Sequence, residues 1–149
     1  LVLLFATGCS DEESTFDFNS VNNVIIKNQG QWMSSGLIDY SFTLSRIPGD
    51  CPTADALRAV NIVIEDNVVS SVTYAQSGEP APISRGVTID DLFVEQLTML
   101  NKSPRQFSET KQSEALPSYD PDFHYPISFY VDLSSADCDA TQVRVSDFI

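Results

Sequence analysis

Three cysteines, one histidine and a surplus of carboxylates are the side chains in this chain with chemistry to offer. His124 is the single histidine and so the one group ready to act as a general base near neutral pH. No serine or cysteine in a nucleophile-elbow pattern accompanies it. It sits in Tyr119-Asp120-Pro121-Asp122-Phe123-His124-Tyr125-Pro126, a stretch of turn formers in which a histidine tolerates a left-handed backbone. The acids Asp120, Asp122, Asp132, Asp137 and Asp139 carry the hard oxygens that calcium takes. Their spacing does not follow an EF-hand, and Asp137 and Asp139 flank Cys138 in a loop. They read as solvated loop acids, so no metal ligands and no cofactor are assigned. Asp120, Asp122 and His124 are the weak ligand-site candidates.

The cysteines say more. Leu1-Val2-Leu3-Leu4-Phe5 is an uncharged apolar run, too short for a bilayer span of about 20 residues. It reads as the tail of a signal-peptide apolar region. Ala6-Thr7-Gly8-Cys9 then resembles the bacterial lipobox, in which small residues lead to an obligatory, acylated cysteine; Ala6 stands where leucine is commonest. Ser10-Asp11-Glu12-Glu13-Ser14-Thr15 follows at once, a polar and acidic stretch suited to a solvated tether. Two or three acyl chains on Cys9 would anchor the chain stably, where one would be marginal. Ser10 after the cysteine suggests the outer membrane if the source is Gram-negative. With Cys9 set aside, Cys51 and Cys138 form an even pair, and in an oxidising compartment such a pair suggests one disulfide. That bond would stabilise by roughly 3–5 kcal/mol on the chain-entropy model. Two separate buried thiols are the alternative the spacing leaves open. There is no Cys-x-x-Cys, no histidine beside a cysteine and no Gly-rich phosphate loop.

Composition narrows the function classes. Of 149 residues, 42% are hydrophobic and 19% charged, which supports one packed domain. Acids outnumber bases 21 to 8, for a formal charge of -13. Such a surface repels phosphate backbones and disfavours nucleic acid. It disfavours docking to anionic lipid through a basic patch as well.

These residues need elements to position them. Val21, Val24, Ile25, Asn28 and Trp32 recur at helical spacing, predicting a helix over about 20–35 that Gly36 ends, with Trp32 as a core anchor. Ile38, Tyr40, Phe42 and Leu44 alternate with polar residues as a half-buried strand. Residues 48–52 form a loop. Residues 57–75 read as a hairpin about Glu65-Asp66-Asn67, and 76–87 as a Gly/Pro loop. Thr88-Ile89-Asp90-Asp91 opens a second helix to about Leu100 as an acidic capping box. Residues 101–117 are polar and read as mobile. Ile127, Phe129 and Val131 alternate with Ser128, Tyr130 and Asp132 as a strand, and 142–148 as the last. The sum is an α+β single domain. Its antiparallel sheet has about five strands and two helices on one face, in the order α-β-β-β-α-β-β with room for one extra strand. The chain thus divides into a signal-peptide remnant (1–8), a lipidated cysteine and acidic tether (9–20) and the α+β domain (21–149).

Trp32, Tyr40, Phe42, Cys51-Pro52, Val68-Val69-Ser70-Ser71-Val72-Thr73-Tyr74 and Ser77-Gly78-Glu79-Pro80 belong to one pattern. It continues with Thr88-Ile89-Asp90-Asp91-Leu92-Phe93, Tyr119-Asp120-Pro121, Tyr125-Pro126, Asp132 and Val145-Ser146-Asp147-Phe148. In this order and spacing they resemble an uncharacterised family of small bacterial proteins, many of them lipoproteins, classed as a domain of unknown function. His124 stands where members usually carry glycine. The resemblance implies no reaction and no catalytic residues.

The expectation is therefore a lipid-anchored envelope protein, a membrane partner through its N-terminal lipid, that acts as a non-enzymatic binding module for a protein or envelope ligand. The alternatives are an envelope hydrolase using acids near residues 119–126, and a structural factor in envelope assembly.

Overall fold

A computed structural model describes residues 16–51 and 57–149. Cys9, the signal remnant, most of the tether and Pro52 lie outside the described residues.

The first helix, α1 (Phe18–Ser35), begins within the stretch that composition assigns to the tether. Asp17 caps it, accepting from the Asn19 amide at 3.0 Å, and Phe16 packs against Phe107. Gly36, at φ +67°, closes α1 in the left-handed conformation a glycine adopts freely. Val21, Ile25, Asn28 and Trp32 make its buried stripe. Trp32 meets Tyr40 and Phe148 edge-on and donates from Nε1 to Asp90 Oδ1 at 3.2 Å.

Seven strands follow: β1 (Tyr40–Pro48), β2 (Leu57–Glu65), β3 (Val68–Tyr74), β4 (Gln106–Ser108), β5 (Ser118–Tyr119), β6 (Pro126–Asp132) and β7 (Ala140–Ser146). The second helix, α2 (Ile89–Leu100), lies between β3 and β4 in the chain. All pairings are antiparallel, in the order β3-β2-β1-β7-β6-β4, with β5 also on β6. The β2–β3 hairpin turns at Asp66 and Asn67, both left-handed, as a two-residue turn of matching twist requires. β4 and β5 are the strands that sequence periodicity does not reveal. They lie in or beside the polar 101–117 stretch and are three and two residues long.

One core serves both helices. Tyr40, Phe42 and Leu44 of β1 pair with Ile64, Ile62 and Val60 of β2, and Leu44 pairs with Val145 of β7. Phe129 and Val131 of β6 extend that face, and Leu92 and Phe93 of α2 close over it. Arg46 ties the sheet to α2 through a two-pronged ion pair with Glu95, at 2.6 and 2.7 Å.

The start of α2 is fixed twice. Thr88 and Asp91 complete the reciprocal capping box, and the Ile89 amide, buried at the first turn, donates to Tyr40 Oη at 3.0 Å. Burial, helped by Asp90 and Asp91 and opposed by the Ile89 hydrogen bond, pushes the Tyr40 phenol up from 10.0 to about 12. Because the folded state holds this proton more tightly than the unfolded chain, the resulting stability is full below pH 10 and is lost as pH rises towards 12. Urea unfolding should show stability falling across that window. Tyr40→Phe should cost about 1–3 kcal/mol at pH 7 by orphaning the Ile89 amide, and should lessen the alkaline slope.

Candidate functional site

The face of the sheet away from the helices is open on one side and covered on the other. Across β1 and β2 it carries Ser41, Thr43, Asn61 and Val63, paired as Ser41 with Val63 and Thr43 with Asn61. With Asp147 and Ile149 these line a shallow groove of about 380 Å³. Across β6, and at Gln142 and Ala140 of β7, the same face is buried, while Arg144 is exposed. Ser128, Tyr130 and Asp132 lie there, at 7%, 1% and 3% exposure, opposite Arg144, Gln142 and Ala140. Alternation suggests a half-buried β6 with these polar residues in solvent. They are buried because other segments pack over them: the chain after β4 meets Ser128, the Gly49 loop meets Tyr130 and Arg105 meets Asp132.

This second layer is polar, and at one end Gln142 and Ser128 are hydrogen-bonded. Gln142 Nε2 donates to Ser128 Oγ, to the Phe129 carbonyl and to the Glu109 carbonyl, each at 3.0 Å. Ser128 Oγ also donates to Glu109. At the other end lies a cluster of acids. Carboxylate oxygens of Asp50, Asp132 and Asp139 all fall within 4.8 Å of one another.

Each acid arrives by its own route. Asp132 ends β6, and its Oδ2 receives Arg105 Nε and Nη2, both at 2.8 Å. Asp50 sits in the loop after β1, and its Oδ1 accepts from the Ala140 amide at 3.0 Å. Asp139 immediately precedes β7, and its Oδ2 accepts from Ser134 Oγ. The Cys51–Cys138 disulfide joins the residues beside Asp50 and Asp139, with an S–S distance of 2.01 Å. The sequence left pairing and separate thiols open; the two sulfurs are bonded.

Tyr130 points into this cluster. The Gly49 backbone lies so close that a Cβ there would sit 2.4 Å from Tyr130 Cε2 and 2.9 Å from its Oη. Burial first, then the charges of Asp132, Asp50 and Asp139, push its phenol up to about 12, with Arg105 opposing. Three buried atoms of these residues have no hydrogen-bond partner: Tyr130 Oη, Asp132 Oδ1 and Asp139 Oδ1. A groove of about 370 Å³ beside them is lined by Pro48, Gly49, Asp50, Cys51, Lys111 and Asp137, and Lys111 Nζ donates to the Gly49 carbonyl at 2.7 Å.

The other candidates lie elsewhere. Asp120 Oδ1 accepts the amides of Asp122 and Phe123, at 3.0 and 2.7 Å, and its carbonyl accepts the His124 amide. His124 takes φ +67°, the left-handed backbone of a glycine-like position. Asp120, Asp122 and His124 therefore share one tight turn between β5 and β6, with Asp122 exposed. Asp132 and Asp139, named by sequence as possible oxygen donors, do come together. Asp50 was missed. The signal that would have found it is its place beside Cys51, since a Cys51–Cys138 bond necessarily brings Asp50 towards Asp139.

The architecture is that of a single α+β domain with an open antiparallel sheet. No helix among the described residues is long and apolar enough to cross a membrane. The match to a family model covers residues 25–149, and the chain belongs to that family, DUF6174, a family of unknown function. No curated protein and no solved structure matches it.

Two variants probe the site's scaffold. The disulfide spans 87 residues of sequence, so reducing it should lower stability by about 4–5 kcal/mol on the chain-entropy model. Urea titration with and without reductant measures this. Gly49→Ala should cost about 1–3 kcal/mol, because Tyr130 has no room to retreat from the added methyl.

Proposed function

We propose that this chain is a lipid-anchored protein of the bacterial cell envelope that works by binding and not by catalysis. The Cys51–Cys138 disulfide is the observation that carries the reading. Disulfides persist in oxidising compartments and are rare in the cytosol. This one uses both cysteines other than Cys9 and leaves that residue, in its lipobox-like setting, as the odd thiol. The acidic residues after Cys9 then serve as a spacer between membrane and domain. If the source is Gram-negative, Ser10 points to the outer membrane.

The binding surface is the open face of β1 and β2. Ser41, Thr43 and Asn61 present hydroxyl and amide groups beside the partly exposed Val63, in a groove shallow enough for a protein or other envelope ligand. The hydrolase alternative is less well supported, because Asp120, its central acid, is committed to the amides of its own turn.

Mass spectrometry of the N-terminus from the native organism should find Cys9 as the first residue, carrying acyl chains. An unmodified Cys9 inside a longer intact chain overturns the anchor. A photo-crosslinker placed at Thr43 should give one discrete adduct in those cells, whereas the same probe at Lys27 on α1 should not. Equal labelling from both positions would remove the sheet face as the contact surface.

A further inference from the structure

We propose that Asp50, Asp132, Asp139 and Tyr130 form a binding site for a divalent metal ion of the calcium class, built around the Cys51–Cys138 disulfide. This assignment does not depend on the lipid anchor or on the open sheet face.

Geometry is the first support. Oxygens that share one calcium ion at 2.3–2.6 Å can lie at most about 5 Å apart. The three carboxylates meet that limit, each offering an oxygen within 4.8 Å of the other two. Acids at loop ends often approach one another in solvent, so proximity alone would mean little. These differ because the Asp132 side chain is only 4% exposed and its Oδ1 is sealed from solvent with no hydrogen-bond donor. Asp139 Oδ1 is sealed and unpartnered in the same way.

Tyr130 is the second and independent support. It is 1% exposed, on β6, and its hydroxyl meets the cluster from the floor of the sheet without a partner. Buried hydroxyls are nearly always hydrogen-bonded, and an orphan one among acids calls for an explanation. A cation among the four oxygens accounts for the three orphan atoms of this cluster at once: it takes the free lone pairs of Asp132, Asp139 and Tyr130, with Asp50 closing the solvent side. The partnered oxygens stay with Arg105, Ser134 and the Ala140 amide, which would hold the ligands in place.

Charge and donor type select the ion. The carboxylates outnumber the cations beside them, Arg105 on Asp132 and Lys111 at the groove, so the cluster keeps an excess of negative charge that a divalent ion would balance. All the donors are oxygen and both nearby sulfurs are locked in the disulfide, which disfavours zinc and copper. Donors gathered from two loops and one strand give an irregular shell. That suits calcium, which accepts 6–8 ligands flexibly, better than magnesium, which demands an octahedron. The groove lined by Gly49, Asp50 and Lys111 supplies the entry path and room for water ligands. Affinity should fall in the range of extracellular calcium modules, with Kd about 0.1–1 mM.

The test uses the full chain, stripped with EDTA and held at constant ionic strength. Calcium titrated to 10 mM should raise Tm by several degrees, with magnesium giving less than half that rise. Asp139→Asn and Asp50→Asn keep side-chain size and one acceptor oxygen, and each should weaken calcium binding at least tenfold by calorimetry. The double variant Asp120→Asn/Asp122→Asn removes the same kind of charge elsewhere and should leave binding unchanged. Terbium, a calcium substitute excited through nearby tyrosine, should luminesce on binding, and Tyr130→Phe should lose most of that emission while remaining folded by circular dichroism. The site is overturned if calcium gives neither heat nor a Tm shift at 10 mM. It is equally overturned if the shift persists undiminished in Asp139→Asn and Asp50→Asn, or falls equally in the Asp120/Asp122 variant, which would mark general screening of an acidic surface.

Discussion

Burial of β6 on both faces is the constraint on which the rest of this structure depends. Phe129 and Val131 face the helices and Ser128, Tyr130 and Asp132 face the other way, yet six of its seven residues are buried. A strand in that position must find partners for every polar atom on its second face, because burying a hydroxyl or carboxylate unpaired costs free energy. The chain meets this demand unevenly. Ser128 and Gln142 find partners, with the Gln142 amide hydrogens shared among a hydroxyl and carbonyls. Tyr130 Oη and Asp132 Oδ1 do not. A fully satisfied polar layer fixes a structure, whereas an unpaired buried polar group costs free energy.

The covalent framework explains why the open end lies where it does. Gly49 lets the chain after β1 run against the Tyr130 ring, which any larger residue would block. Its amide donates to the Ala140 carbonyl at 3.0 Å, and the Asp50 carboxylate receives the Ala140 amide in return. The disulfide then joins the next residue, Cys51, to Cys138. Three bonds within three consecutive residues hold the end of β1 to the start of β7. The acids on either side are thus placed by backbone and covalent chemistry, and their mutual repulsion is overcome before Arg105 contributes.

What could be read from the sequence follows from the length and regularity of each signal. Both helices declared themselves, α2 by the Thr88–Asp91 box and α1 by its stripe and Gly36. The β2–β3 hairpin and β1 were legible because their alternation matches a sheet with one buried face. β4 and β5 were not, being too short to show a period; Phe107 is their one strong apolar mark, fully buried in a segment that composition reads as mobile. The back of β6 was misleading for a different reason. Its Ser-x-Tyr-x-Asp pattern is that of a solvent face, and tertiary packing buries it: Glu109 over Ser128, the Gly49 loop over Tyr130 and Arg105 at Asp132. Asp50 was hidden in a Pro-Gly loop, although its neighbour Cys51 held the clue once the pairing was known.

The acidity of the chain likewise separates into distinct roles. Asp17 caps α1, Asp91 closes the box on α2, and Asp90 receives the Trp32 indole. Asp39 takes the Asp66 amide at the hairpin turn, Asp120 organises the turn before β6, and Glu95 holds Arg46. In each, a carboxylate faces a specific donor, so its charge contributes to local structure as much as to solubility. Asp50, Asp132 and Asp139 break that rule. They have donors on some oxygens, but they stand within 4.8 Å of one another, with one guanidinium in direct contact with the cluster through Asp132. A formal charge of -13 therefore overstates how generic the acidity is. Many of these acids answer to a partner within the chain, whereas in this one cluster Asp132 and Asp139 each keep an oxygen without one.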